Sequence, residues 1–121
     1  MNSRLISSVA LIGIEVKNLE GQDLGDIVDI MLDETSGATA YAVIATGFLG
    51  LGDRYFAVPW RALRINSKKE LVQLDISRDD FKKAPSFNKE NWPAFPHSDF
   101  ITEVHDYFGF SPYWQESNDD N

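Results

Sequence analysis

The sequence predicts a mainly β chain: a small antiparallel β-barrel followed by short C-terminal helices. Three observations carry this. From Ile14 to Asn66, short apolar stretches alternate with turn residues at the spacing of hairpins. Within them, Ala40 to Leu63 (AYAVIATGFLGLGDRYFAVPWRAL) reads as a strand, a glycine-punctuated apolar tip, a returning strand and a Pro59-Trp60 stop. No βαβ crossover precedes Ser77, where the pattern turns helical.

In chain order, Ile14-Glu15-Val16 alternates, and Asn18 to Gly21 followed by Gly25 supply turn residues. Ile27 to Leu32 is an apolar run interrupted by Asp29, and Asp33 to Gly37 forms a second turn in which Gly37 can take positive φ. Tyr41 to Ala45 and Arg54 to Val58 are the central strands, with Gly52 placed at the turn of positive φ between them. Leu63 to Asn66 and Leu71 to Ile76 flank Ser67-Lys68-Lys69-Glu70 as a further hairpin. Strands this short, curling on one core, suggest a barrel rather than an open sheet. Trp60, after Pro59 at a strand end and between Val58 and Leu63, is expected to be a core or barrel-closing residue.

From Ser77 the hydroxyl can cap a short helix whose first turn holds Asp79 and Asp80, and Pro85 stops it. A turn over Asn88 to Trp92, an extended Ala94-Phe95-Pro96 and a helix capped by Ser98 or Asp99 follow. In that helix Phe100, Ile101, Val104, Tyr107 and Phe108 fall on helical spacing before Gly109. The expected division is a barrel over 1–76, a helical and aromatic extension packed on it over 77–114, and an acidic disordered tail over 115–121.

The chain has 121 residues, no cysteine and a net charge of −8. That length closes a core without disulfides or metal, and the missing thiols exclude a disulfide framework, a thiolate zinc site and a cysteine nucleophile. The acidic balance argues against nucleic-acid binding, which needs clustered Lys and Arg; only Arg61, Arg64, Lys68 and Lys69 form a modest basic group. No apolar run approaches a membrane span, no secretory pattern opens the chain, and a cytoplasmic location is expected.

The run from Leu11 through Trp92 closely resembles the PRC-barrel domain, named for the cytoplasmic domain of the photosynthetic reaction centre H subunit. The resemblance rests on the order of several motifs: Gly13 to Val16, the Gly21 to Gly25 turn with Leu24, Leu32-Asp33 to Gly37, the Gly47 to Gly52 tip, and Val58-Pro59-Trp60. The Ala84 to Phe87 and Asn91-Trp92-Pro93 segments resemble the tail of stand-alone bacterial and archaeal members. The resemblance implies a compact barrel used as a protein-binding or assembly module. The family also includes part of a ribosome maturation factor, which implies an RNA-processing accessory role as the alternative. Neither that factor's N-terminal domain nor the H subunit's membrane anchor is expected in this chain.

Chemical constellations are absent from the pattern. Asp26, Asp29 and Asp33 lack calcium-loop spacing, and Asp26 and Asp29 are expected on opposite strand faces as solvated residues. His97 and His105 stand eight positions apart, too far to share a metal on one helix, and read as helix-surface or capping histidines. The glycine-rich tip lacks the Lys-Ser/Thr of a phosphate loop, and no nucleophile elbow is present. No enzyme activity, catalytic residue, cofactor or metal is therefore expected.

The apolar tip is the sharper feature. Phe48, Leu49 and Leu51 cannot all point into one barrel, so cover must come from the chain's own tail, which carries Trp92, Phe95, Phe110 and Trp114, or from another subunit. The candidate interaction surface is therefore Phe48, Leu49, Leu51, Phe95, Phe110 and Trp114, with Gly37, Gly52, Pro59, Trp60 and Trp92 as structural residues. A homodimer, with a protein partner as the further option, is the expected assembly.

Overall fold

The computed structural model describes residues 5–46, 54–94 and 98–118. A one-turn helix α1 (Ser8–Leu11) opens the chain. The strands β1 (Glu15–Lys17), β2 (Asp23–Leu32), β3 (Thr39–Ala45), β4 (Arg54–Pro59), β5 (Leu63–Asn66) and β6 (Leu71–Leu74) follow. Helix α2 (Arg78–Lys82), strand β7 (Ser86–Asn88), helix α3 (Asp99–Phe108) and a 3-10 helix over Tyr113–Asn118 complete it. No helix among the described residues is long and apolar enough to cross a membrane.

The strands form one sheet in the order β5-β6-β1-β2-β3-β4-β7. In that order β4 and β5 are five places apart, about 24 Å in a flat sheet at ~4.8 Å per strand. Yet a single 3-10 turn, Trp60–Ala62, joins them. A link that short reaches at most about 14 Å. The sheet must therefore curl until β4 and β5 approach each other. Side chains of β1 to β6 accordingly meet in one core: Val16, Ile27, Ile44, Phe56, Leu63 and Val72 are buried together.

Two features depart from a closed antiparallel barrel. The ladder ends at β5 and β7 and is not closed by hydrogen bonds. The β1–β6 pair is parallel, with Val16 opposite Val72 and Lys17 opposite Gln73, while the other pairs are antiparallel. The curl brings β1 beside a strand 56 positions further along the chain (Val16 to Val72), a separation that hairpin spacing does not constrain.

Strand β3 is buried along Ala40–Ile44 because it has a core on each face. Ala42 and Ile44 face the curled interior with Phe56 and Phe81, whose rings are 4.8 Å apart. Tyr41 and Val43 face a second core with Ala57, Phe87, Ile101 and Val104. A strand covered on both sides reads as a continuous apolar run rather than an alternation.

Residues after Ser77 supply that second cover. Ser77 Oγ accepts from the Asp80 N–H at 3.1 Å and Ser98 Oγ from the Ile101 N–H at 3.3 Å, so both expected caps open their helices. Gly109 ends α3 in the left-handed conformation. The extension also contributes β7, paired with β4 through Tyr55–Phe87 and Phe56–Ser86, where sequence reading gave no strand. The 3-10 helix over Tyr113–Asn118 runs into the segment expected to be disordered from Gln115.

Two turn-level expectations change. Gly25 lies inside β2 opposite Val16, at φ +134, rather than in a turn. Ile27 pairs with Ile44 and Asp29 with Val43, so Val28 is the extra residue of a bulge that resets the alternation. Asp26 and Asp29 then pair with Ala45 and Val43, which share a face, correcting their expected placement on opposite faces. Both carboxylates are exposed.

Candidate protein-interaction surface

Helix α1 is too short to persist alone. Tertiary contacts hold it: Leu11 is buried in the interior core, the Gly13 N–H donates to the Ile27 carbonyl at 2.7 Å, and the Ile27 N–H donates to that of Ile14 at 3.1 Å. The β1–β2 pairing stops at Glu15–Asp26, and beyond it α1 borders β2. Between them runs a groove of about 220 Å³ lined by Ser8, Val9, Ile12, Asp29, Ile30 and Leu32. On the other flank of α1, a groove of about 270 Å³ is lined by Leu5, Ile6, Ala10, Ile65, Glu70 and Leu71, among others.

The crest between and beside these grooves is apolar and open to solvent. Val9 is 77% exposed, Leu32 65% and Ile12 45%, with Leu5 and Ile6 also exposed. Exposed apolar area on a soluble monomer seldom exceeds roughly 300–600 Å² in one patch, and patches of that size mark contact sites. Charge differs across the crest. Exposed Asp29 lines the β2 groove and exposed Glu34 follows Leu32. The turn Ser67–Lys69, with exposed Lys68 and Lys69, borders the opposite groove through Ser67.

Of the residues expected at an interaction surface, Phe48, Leu49, Leu51 and Phe95 lie outside the described residues, as do Gly52 and His97. Phe110 is half-buried against the interior core, and Trp114 is half-buried on the second core, its ring 5.2 Å from that of Tyr113. Both pack within the chain. Trp92 does likewise, edge-on to Tyr55 at 5.5 Å, with its indole N–H donating to the Lys89 carbonyl. Pro59 ends β4 opposite Tyr41, Trp60 packs half-buried on the interior core, and Gly37 takes φ +77.

His105 is not a surface residue. It is 1% exposed, its Nδ1 lies 2.8 Å from the Ile101 carbonyl, and its ring sits 6.1 Å from those of Tyr113 and Trp114. A carbonyl only accepts, so Nδ1 carries the proton. The apolar crest of α1 escaped sequence reading altogether. Its signal was present: Leu5, Ile6, Val9 and Ile12 offer more large apolar side chains than one helical turn can bury on one side.

Three phenols are displaced from their ordinary range. Burial, with the Asp29 charge adding to it, pushes Tyr41 up to about 12. Burial also raises Tyr113, helped by its hydrogen bond to Asp33. Burial and Asp80 raise Tyr107, which donates to the Asp80 carbonyl. Such phenols keep their protons at neutral pH and act as donors, not bases. Tyr41, Asp33 and Tyr113 border a pocket of about 200 Å³ beside Met31 and Pro93. Among the described residues, no three His, Asp or Glu side chains come together as a metal site would require.

A model of the PRC-barrel domain family matches residues 5–81. No curated protein matches the sequence. A solved structure from Pseudomonas aeruginosa, described as the 16S ribosomal RNA processing protein RimM, is similar at 22% identity with a TM-score of 0.46. The similarity covers 61% of this chain and 45% of that one, so this chain spans less than half of its length.

Proposed function

The chain belongs to the PRC-barrel domain family, and from that premise we propose that it is a non-enzymatic protein-interaction module of the cytoplasm that self-associates. The observation that carries this reading is the exposed crest of Val9, Ile12 and Leu32 with Leu5 and Ile6. A folded chain that buries Tyr41, Val43 and Phe56 so completely has ample means to cover aliphatic side chains. Leaving several exposed side by side costs solubility unless another molecule covers them. The extension over 77–114 serves as fixed cover for the outer face of β3 and β4, so it stabilises the barrel rather than forming a second functional unit.

Sedimentation velocity across the micromolar range tests the reading. A dimer or larger species is expected, unaltered by added RNA. A monomer throughout would remove the self-association, and RNA binding that weakens steeply with salt would favour the RNA-linked role instead.

A further inference from the structure

We infer that the α1 crest is a two-fold contact between copies of this chain, aligned so that the acidic flank of one copy meets the basic flank of the other. The inference rests on the self-association proposed above and names its surface. Three observations on the crest lead to it.

The first is the arrangement. Helix α1 lies between the two grooves, so its apolar side chains form the middle of a strip. Exposed Asp29, with Glu34 just beyond Leu32, stands on the β2 side. Exposed Lys68 and Lys69 stand on the β5–β6 side, in the turn whose Ser67 lines that groove, and Glu70, which lines the groove itself, follows them. An apolar centre with charged margins is the anatomy of a protein contact.

The second is charge. A two-fold axis running along α1, between the two flanks, sets each flank of one copy against the opposite flank of the other, so the Asp29 flank falls on the lysine flank twice. Each copy carries a net charge of −8, and two such chains repel in most orientations. The strip offers an approach in which acid faces base, and long-range repulsion then selects that alignment over others. A partner of unrelated sequence has no such built-in match.

The third is area. The largest apolar patch of a typical monomer, roughly 300–600 Å², falls short of the ~800 Å² that each partner contributes to a stable interface, so an apolar centre alone does not suffice. The charged margins on both sides supply the remainder only if both are engaged, and the two-fold arrangement engages both.

The test is sedimentation velocity on the full chain with five variants, each checked by thermal melting. Val9→Asp and Ile12→Ser alter exposed side chains, and each should weaken dimerisation at least tenfold while the melting profile holds. Asp29→Lys alone, and Lys68→Glu with Lys69→Glu alone, should each weaken it several-fold by placing like charges together. The combined reversal should restore the wild-type constant to within about threefold. A wild-type dimer indifferent to Val9→Asp and Ile12→Ser overturns this surface while leaving self-association standing. Failure of the combined reversal to restore binding overturns the acid-to-base alignment. A monomeric wild type overturns both this inference and the self-association beneath it.

Discussion

The phenol of Tyr113 donates to Asp33 Oδ2 at 2.5 Å, across 80 residues of chain. The other oxygen of that carboxylate accepts from the Thr35 and Ser36 N–H groups, at 2.9 and 3.3 Å. One side chain therefore shapes the β2–β3 turn and fastens the last helical turn of the chain to it. The contact ties the Tyr113 edge of the second core to the β2–β3 turn.

Alkaline pH should loosen this side of the molecule. Tyr41 in the folded chain is pushed up to about 12 from an ordinary 10.0, and Tyr113 is also raised. Above pH 10 the unfolded chain releases these protons while the folded chain holds them. Stability is thus intact below pH 10 and falls as pH rises toward 12. Tyr41 alone corresponds to about 2–3 kcal/mol at the top of that window. Urea titrations between about pH 8 and pH 12 should show the decline, and Tyr41→Phe should flatten it. A stability independent of pH up to 12 would contradict the burial of both phenols.

Gly25 and Gly37 should respond differently to alanine. At Gly25, φ is +134 and a Cβ would stand 2.4 Å from the Ala45 carbonyl oxygen, in the ladder itself. At Gly37, φ is +77 and the space is open. Gly37→Ala meets only the left-handed backbone penalty, about 1–2 kcal/mol, whereas Gly25→Ala adds a backbone collision that nothing flexible can relieve. Denaturation midpoints should therefore fall modestly for Gly37→Ala and severely for Gly25→Ala. Equal losses would show that the close approach of β2 to β3 at Ala45 is absent.

What was legible in the sequence follows from how local its cause is. The strands read between Ile27 and Ile76, the Ser77 and Ser98 caps and the Gly109 stop depend on neighbouring residues, and the structure places each of them, with β2 starting earlier, at Asp23, and β6 ending earlier, at Leu74. The parallel β1–β6 pair depends on curling of the whole sheet, which no window of residues contains. The bulge at Val28 inserts a residue that a strict alternation cannot anticipate. Strand β7 is three residues long and exists because β4 offers an edge. The α1 crest shares this character: Leu11 and Val9 are equally apolar in sequence, and only the fold decides which is covered.

His105 tests the second core from inside. Its Nδ1–H is held by the Ile101 carbonyl, but Nε2 is buried and finds no hydrogen-bond partner among the described residues. An unsatisfied buried polar atom costs about 1–3 kcal/mol, comparable to or larger than the hydrogen bond on the other side of the ring. His105→Leu, similar in bulk and without polar atoms, should leave the unfolding free energy unchanged or raise it by about 1 kcal/mol. His105→Ala leaves a cavity and should lower it by about 2–4 kcal/mol. A loss with leucine as large as with alanine would mean that the imidazole nitrogens, not its volume, hold the site together.

Trp60 sits at the seam. It begins the 3-10 turn that carries the chain from β4 to β5, and its ring packs half-buried on the interior core. Because the ladder is open between these strands, side-chain packing rather than hydrogen bonding must hold the seam together there. A fully buried tryptophan would cost about 3–5 kcal/mol to truncate; half-burial reduces that to about 1.5–3 kcal/mol for Trp60→Ala. The loss should concentrate at the seam. Amide hydrogen exchange in β5 and at the end of β4 should quicken more than in β3, which keeps both cores. An unchanged unfolding midpoint would show that Trp60 takes no part in closing the sheet, and uniform acceleration of exchange would show that it supports the core generally rather than the seam.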